Sequence, residues 1–298
     1  MKIIRLIKYP GSKMSLLPDI NSVFRKSRSR ILVDVFGGSG LVSLNLGADY
    51  VIYNDLDGEL VNLFRIIKNR PEDMYTMILN TLPLSFREDL PATINGHHPR
   101  YHEQREGLAS GNKAWKNERI RKLHYVMKSS AGNAVQIDRA LANAYRTLYR
   151  SITSFGGLGE TYATGKEKAA FSYFLKMAQS FGEIADRVGR WKIERMDFRE
   201  LISRYDSPDA FLYLDPPYPG KDWYRYNFNL DDYRMLAASL RSVKGSYLLT
   251  LSGADSYISE MFGKPSFVRE YRNQNGSKEN GETAVRSFYF FTNVQTVQ

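Results

Sequence analysis

Ile31-Leu32-Val33-Asp34-Val35-Phe36 runs straight into Gly37-Gly38-Ser39-Gly40. The first six residues are a short apolar, β-rich run, and glycines just after a strand let the backbone approach a ligand closely. An apolar helical pattern follows, so the unpaired N–H groups of a helix start point to the same place. Val51-Ile52-Tyr53-Asn54 predicts a second short strand ending at Asp55, after which Leu60, Leu63, Phe64 and Ile67 share one helical face as far as Pro71. Strand, glycine turn, helix, strand and acid is how a doubly wound α/β sheet begins, and an acid at that strand end can hydrogen-bond ribose hydroxyls. A tight βα turn alone would also use these glycines. Joined to Asn54-Asp55, they point to an adenosine-containing cofactor. The Lys-Ser/Thr pair of a phosphate-binding loop is missing, which argues against ATP hydrolysis.

Ala210-Phe211-Leu212-Tyr213-Leu214 predicts a buried strand running into Asp215-Pro216-Pro217-Tyr218. Open α/β sheets place ligands at the carboxyl ends of such strands. Two prolines restrict the backbone, and Pro217 has no N–H to satisfy the Pro216 carbonyl locally. The turn therefore offers a carboxylate, a carbonyl and an aromatic face. An amino group on a planar base needs two acceptors and a stacking surface. A plain Pro-Pro turn with a surface tyrosine is the bland alternative. A helix marked by Leu230, Tyr233, Ala237 and Leu240 and a strand at Ser246 to Leu251 follow. Val285 to Thr292 reads as a terminal strand, paired in a hairpin with Phe267 to Arg272. Alternating strands and helices imply parallel crossovers.

The 298 residues carry 42 Lys and Arg against 32 Asp and Glu, a net charge of +10. A basic chain of this size suits a polyanionic partner, although solubility alone is an equal reading of the charge. No apolar run is long enough to span a bilayer, and Met1 to Ile7 mix charge and aliphatic residues too tightly for a signal peptide. Cysteine is absent, which removes disulfides, thiolate zinc sites and cysteine nucleophiles. A cytoplasmic protein fits these features. His97, His98 and His102 lack a convergent carboxylate motif and read as a polar loop, so no metal is expected.

Residues 71–190 differ in pattern. Ala140, Leu141, Ala144 and Leu148 are spaced for one helical face, and Phe171, Phe174, Leu175, Ala178 and Phe181 for another. Between Arg100 and Lys128 stand eight basic residues and three glutamates. The expectation is a catalytic domain made of residues 1–70 and 191–298, with a mostly helical, basic subdomain inserted at 71–190.

The order of these motifs resembles the Dam-type, or D12-class, DNA adenine N6-methyltransferases of the α arrangement, over nearly the whole chain. Lys8-Tyr9-Pro10-Gly11-Ser12-Lys13 is similar to the family's N-terminal cofactor motif, with Pro10 and Ser12 where small residues and Gly are commoner. Phe36-Gly37-Gly38-Ser39-Gly40 resembles its Phe-x-Gly-x-Gly, Asn54-Asp55 its second-strand acid, Met196-Asp197-Phe198 its third cofactor segment, and Asp215-Pro216-Pro217-Tyr218 its catalytic motif.

The resemblance implies a Rossmann-like, S-adenosylmethionine-dependent methyltransferase sheet carrying a helical DNA-recognition insert. The implied reaction is site-specific methylation of a flipped-out adenine at N6 in double-stranded DNA. Tyr9 and Lys13 would line the methionine end of the cofactor, Asp34, Gly37, Gly38 and Gly40 would hold its amino acid portion, and Phe36 would also bind the cofactor. Asp55 would take the ribose hydroxyls, and Asp197 and Phe198 the adenine. Asp215 would face the cofactor and, with Pro216, accept from the target amino group, while Pro217 stiffens the turn and Tyr218 stacks on the base. Lys13 could also be a solvated lysine, and Asp197 a helix N-cap. Lys116, Arg119, Lys122, Tyr224, Arg225 and Lys278 are expected to contact DNA; Lys278 falls in a loop between the last strands, and Trp223 to Tyr226 is either a substrate-side lid or a packed surface cluster. Two alternatives stay open: cytosine N4 or RNA adenine as acceptor, and a DNA-binding homologue without activity.

Overall fold

The computed structural model describes residues 3–8, 11, 13–82, 90, 138–153, 167–218, 226–252, 260–272, 278–279, 282–283 and 285–295. A 3₁₀ turn at Met14–Leu16 leads into α1 (Leu17–Ser27), then β1 (Ile31–Asp34), α2 (Leu41–Asn45), β2 (Tyr50–Asn54), α3 (Gly58–Asn69) and α4 (Pro71–Asn80). After them come α5 (Arg139–Thr153), α6 (Glu167–Gly189), β3 (Lys192–Glu194), α7 (Phe198–Tyr205), β4 (Ala210–Leu214), α8 (Leu230–Leu240) and β5 (Ser246–Ser252). The chain closes with β6 (Phe267–Arg272), β7 (Lys278–Glu279), β8 (Glu282–Thr283) and β9 (Val285–Thr292).

Seven strands form one sheet in the order β3-β2-β1-β4-β5-β9-β6. The five strands from β3 to β5 are parallel, and β9 pairs antiparallel with both β5 and β6. This is a Rossmann-like α/β fold, with the strand order reversing between β1 and β4. All five residues of β4 are buried, as a central parallel strand covered on both faces requires.

Successive side chains of each strand serve opposite layers. Leu32, Tyr53, Phe211, Tyr213 and Phe290 face a core shared with α1 and α3 to α6. Val33, Ile52, Leu212, Leu249 and Phe291 face a second core closed by Leu201 of α7 and Leu236 of α8. Met74, Leu141 and Phe181 belong to the same buried cluster as Leu32, so the described helices between residues 71 and 190 are packed onto the sheet.

Three details depart from the sequence expectations. The first strand stops at Asp34, two residues before Phe36; Val35 still donates its N–H to the Tyr213 carbonyl at 3.0 Å, and the chain then turns into the glycines. The short edge strand β3 has a single apolar residue and gives no alternation to read. Lys278, expected in a loop, opens the two-residue strand β7, paired with Thr283 of β8. A ladder this short leaves no periodic signal.

Candidate active site

The carboxyl ends of β1, β2 and β4 surround an open cavity of about 250 Å³. Lys13, Asp34, Phe36, Gly37, Gly38, Asp55, Asp197, Phe198, Asp215 and Pro217 line it. Gly40, Pro216 and Tyr218 do not border the cavity directly. Tyr9, Lys116, Arg119, Lys122, Tyr224, Arg225 and the three histidines lie outside the described residues, as does the side chain of Lys278.

The glycine turn is fixed by its neighbours. Gly37 donates its N–H to the Asn54 carbonyl at 2.7 Å, and Gly38 donates to Asp55 Oδ2 at 2.8 Å. The Tyr53 hydroxyl donates to the Gly38 carbonyl at 2.8 Å. A Cβ on Gly37 would stand 2.2 Å from the Tyr53 ring, so the turn closes only without a side chain there. Asn54, 2% exposed, donates to the Val35 and Met196 carbonyls and accepts from Met196 N–H, tying the ends of β1 and β2 to the segment before α7.

Asp55 accepts from Gly38 and, through Oδ1, from Asp57 N–H at 2.8 Å. Burial pushes its carboxyl up to about 6, against the lowering effect of these amides. Each oxygen keeps a second lone pair for a ligand hydroxyl. Asp34, 1% exposed, accepts the Ser43 hydroxyl at 2.6 Å. Burial raises it to about 7, opposed by Ser43 and reinforced by nearby Asp215.

Phe36, Phe198 and Phe228 form an aromatic slot on the far wall, with ring centroids 5.1 to 5.8 Å apart. Asp197 is the N-cap of α7, accepting from Arg199 N–H at 2.9 Å, and it also borders the cavity, so the capping and lining roles coexist. The Arg199 guanidinium lies 4.4 Å from the Phe198 ring centroid and bridges Asp197 to Asp232 at the start of α8. Neither Phe228 nor Arg199 stands out in the sequence. The readable signal is Asn229 with Asp232 three residues on, a capping box that fixes the segment carrying Phe228.

Asp215 follows β4 directly. Its Oδ2 lies 2.6 Å from Lys13 Nζ, and its Oδ1 accepts the Tyr218 hydroxyl at 3.1 Å. Lys13 is 4% exposed; it also donates to the Gly11 carbonyl at 2.7 Å and stands 4.9 Å from the Tyr218 ring centroid. The solvated-lysine reading of Lys13 is therefore excluded. The Tyr233 hydroxyl of α8 donates to the Pro217 carbonyl, pinning the Pro-Pro turn. Among the described residues, no cluster of three or more His, Asp or Glu is placed to hold a metal ion, and no helix is long and apolar enough to cross a membrane.

A Rossmann-like sheet with an acidic, aromatic cavity at its switch point and an Asp-Pro-Pro-Tyr turn on the rim is the arrangement of a nucleoside-cofactor transferase acting on amino groups. The chain belongs to the D12 class N6 adenine-specific DNA methyltransferase family, whose model matches residues 9–272. It is 21% identical over 281 residues to a type II methyltransferase of Methanocaldococcus jannaschii, covering 89% of this chain and 88% of that one. It is 22% identical to a type II methyltransferase of Lactococcus lactis subsp. cremoris and 25% identical to a DNA adenine methylase of Vibrio cholerae. Each of the last two matches covers 71% of this chain but only 64% of the relative, less than two thirds of its length.

Proposed function

We propose that this protein transfers a methyl group from S-adenosylmethionine to N6 of an adenine flipped out of double-stranded DNA. The observation that carries the reading is that Asp215 lines the same cavity as Asp55 and the Phe36–Phe198–Phe228 slot. The cofactor pocket then reaches the Asp215 end of the acceptor turn, with Pro216 and Tyr218 set back from it.

The cavity fits the cofactor on its own terms. Aromatic rings suit an adenine, the Asp55 oxygens suit ribose hydroxyls, and Asp34 and Asp215 suit a cationic ligand. When bound, S-adenosylmethionine supplies an electrophilic methyl group on a sulfonium. The chain's own residues prepare the nucleophile. An adenine amino nitrogen is weakly nucleophilic because its lone pair is delocalised into the ring. Hydrogen bonds from that amino group to the Asp215 carboxylate and the Pro216 carbonyl favour a tetrahedral nitrogen and stabilise the charge that grows on it. Lys13 holds one Asp215 oxygen and Tyr218 the other, so the carboxylate is preset before the base arrives. The target atom is inside a duplex, so the base is extruded before reaction.

DNA is gripped by the basic part of residues 71–190, together with Tyr224, Arg225 and Lys278. Two relatives are named type II methyltransferases, which suits a site-specific enzyme of a restriction-modification system.

The test is Asp215→Ala, assayed for methyl incorporation into duplex DNA with nucleoside digestion to identify the product. Transfer should be lost while S-adenosylmethionine binding by calorimetry persists. Near-normal turnover would remove the proposal, and N4-methylcytosine as the product of the unaltered protein would reassign the acceptor.

A further inference from the structure

Strands β4 and β5 run parallel, and Leu214↔Leu249 is their last registered pair. One step further, Asp215 and Thr250 stand side by side. Thr250 is fully buried, in a strand whose neighbouring positions are Leu248, Leu249 and Leu251. A valine would fill the same volume without a polar atom to satisfy. A buried hydroxyl is costly unless it is hydrogen-bonded.

The Thr250 hydroxyl oxygen has three polar neighbours. Tyr213 Oη lies at 3.3 Å, the Leu214 carbonyl at 3.4 Å and Asp215 Oδ1 at 3.4 Å. A threonine has one proton to give and lone pairs to accept with. Tyr213 keeps its own proton, because burial, with the charges of Asp215 and Asp34, raises the phenol well above its ordinary value. Either hydroxyl of the pair can donate to the other; with Tyr213 as the donor, the Thr250 proton is left for the end of β4, where the Leu214 carbonyl and Asp215 Oδ1 stand. The catalytic carboxylate is then approached on three sides: by Lys13 from the N-terminal segment, by Tyr218 from its own turn, and by Thr250 from inside the sheet.

We infer that Thr250 is a positioning residue for methyl transfer: its hydroxyl, oriented by the Tyr213 phenol, holds the Asp215 carboxylate at the angle from which it receives the target amino group. The inference rests on Asp215 being the acceptor of that amino group. A carboxylate misplaced by a fraction of an ångström leaves binding largely intact and slows the chemical step.

The experiment uses the whole 298-residue chain with Thr250→Val, Thr250→Ser and the double variant Tyr213→Phe/Thr250→Val. The double variant removes both ends of the buried pair, so no polar atom of the pair is orphaned and the fold should hold. Turnover at saturating cofactor and DNA should fall about tenfold in Thr250→Val and in the double variant, with cofactor affinity of Thr250→Val, whose residue does not line the cavity, within about twofold of the unaltered protein. Thr250→Ser should restore turnover. The inference is overturned if the double variant turns over normally, if Thr250→Ser is as slow as Thr250→Val, or if the loss lies in cofactor affinity. Asp215→Ala, assayed alongside, separates the levels. An active Asp215→Ala variant sinks the proposed function itself, whereas an inactive one beside a normal double variant sinks only the role of Thr250.

Discussion

Single residues carry the closest coupling of fold to site. The Tyr53 ring that fills the space beside Gly37 is stacked on Trp191, with centroids 5.6 Å apart, and its hydroxyl is engaged by the Gly38 carbonyl. It has no room to yield. Gly37→Ala should therefore destabilise the protein by about 1–3 kcal/mol, the usual cost of overpacking, and weaken cofactor binding by displacing the turn. Denaturant melts and calorimetry on the variant read both effects; an unchanged midpoint would mean the ring can move. The glycines are legible in the sequence because a turn after a strand demands them. Tyr53, the reason Gly37 must be bare, is not, since it looks like any strand aromatic.

Two buried carboxyls make a pH prediction with opposite signs for stability and binding. Asp34 and Asp55 are raised to about 7 and about 6. In the unfolded chain they titrate in the ordinary carboxylate range, so between that range and pH 7 the folded protein holds protons that the unfolded chain releases. Their contribution to stability is full at low pH and is lost as pH rises through 6 to 7. A cationic ligand favours the ionised forms, so affinity for S-adenosylmethionine should rise across the same window, on the order of tenfold between pH 5 and 8. Asp34 sits among Ser43, Tyr213, Asp55 and Asp215. Asp34→Asn should flatten its share of both trends, as melts and titrations at pH 5, 6, 7 and 8 would report. Equal slopes in the variant would place the coupling on other groups.

At the scale of elements, the N-termini of α7 and α8 build the aromatic wall. Asp197 caps one and the Asn229–Asp232 box the other, and Arg199 bridges them. Phe228 is held between them, 5.1 Å from Phe198 and 5.2 Å from Tyr233 by ring centroids. Phe228→Ala should weaken cofactor affinity by about 1–2 kcal/mol because the slot is left open on one side, with a smaller loss of stability. Calorimetry decides it: an unchanged dissociation constant would make Phe228 a packing residue only. The central strands are legible because buried parallel strands are apolar runs with no alternation to confuse. The aromatic wall is not, because its three rings are far apart in sequence and meet only through the caps. The same reason hides Tyr233, whose helical face predicts core but not the Pro217 carbonyl at its hydroxyl.

For the whole molecule, charge divides from chemistry. The cavity is rimmed by carboxylates, while residues 100–128 alone supply half of the net charge of +10. The acidic pocket suits a cationic cofactor and would repel phosphates, so the polyanion must be held elsewhere on the chain. Composition separates residues 71–190 from the rest of the sequence, although the described helices of that stretch join the sheet's own core, a union that only tertiary packing reveals. Lys and Arg side chains on phosphates give sequence-independent affinity that falls with salt. Replacing Lys116, Arg119 and Lys122 with Ala should lower duplex affinity and reduce the slope of log affinity against log salt by about one unit for each phosphate no longer neutralised. Cofactor affinity should not change, because the cofactor motifs of the sequence, from Lys8–Lys13 to Asp215–Tyr218, lie outside residues 100–128. Site preference should persist if these side chains grip only the backbone, and relax if one of them reads a base edge. Binding measured across a salt series for the triple variant is the check. A slope equal to that of the unaltered protein would show that these three cations are a solvated face and that the DNA is gripped by other basic residues.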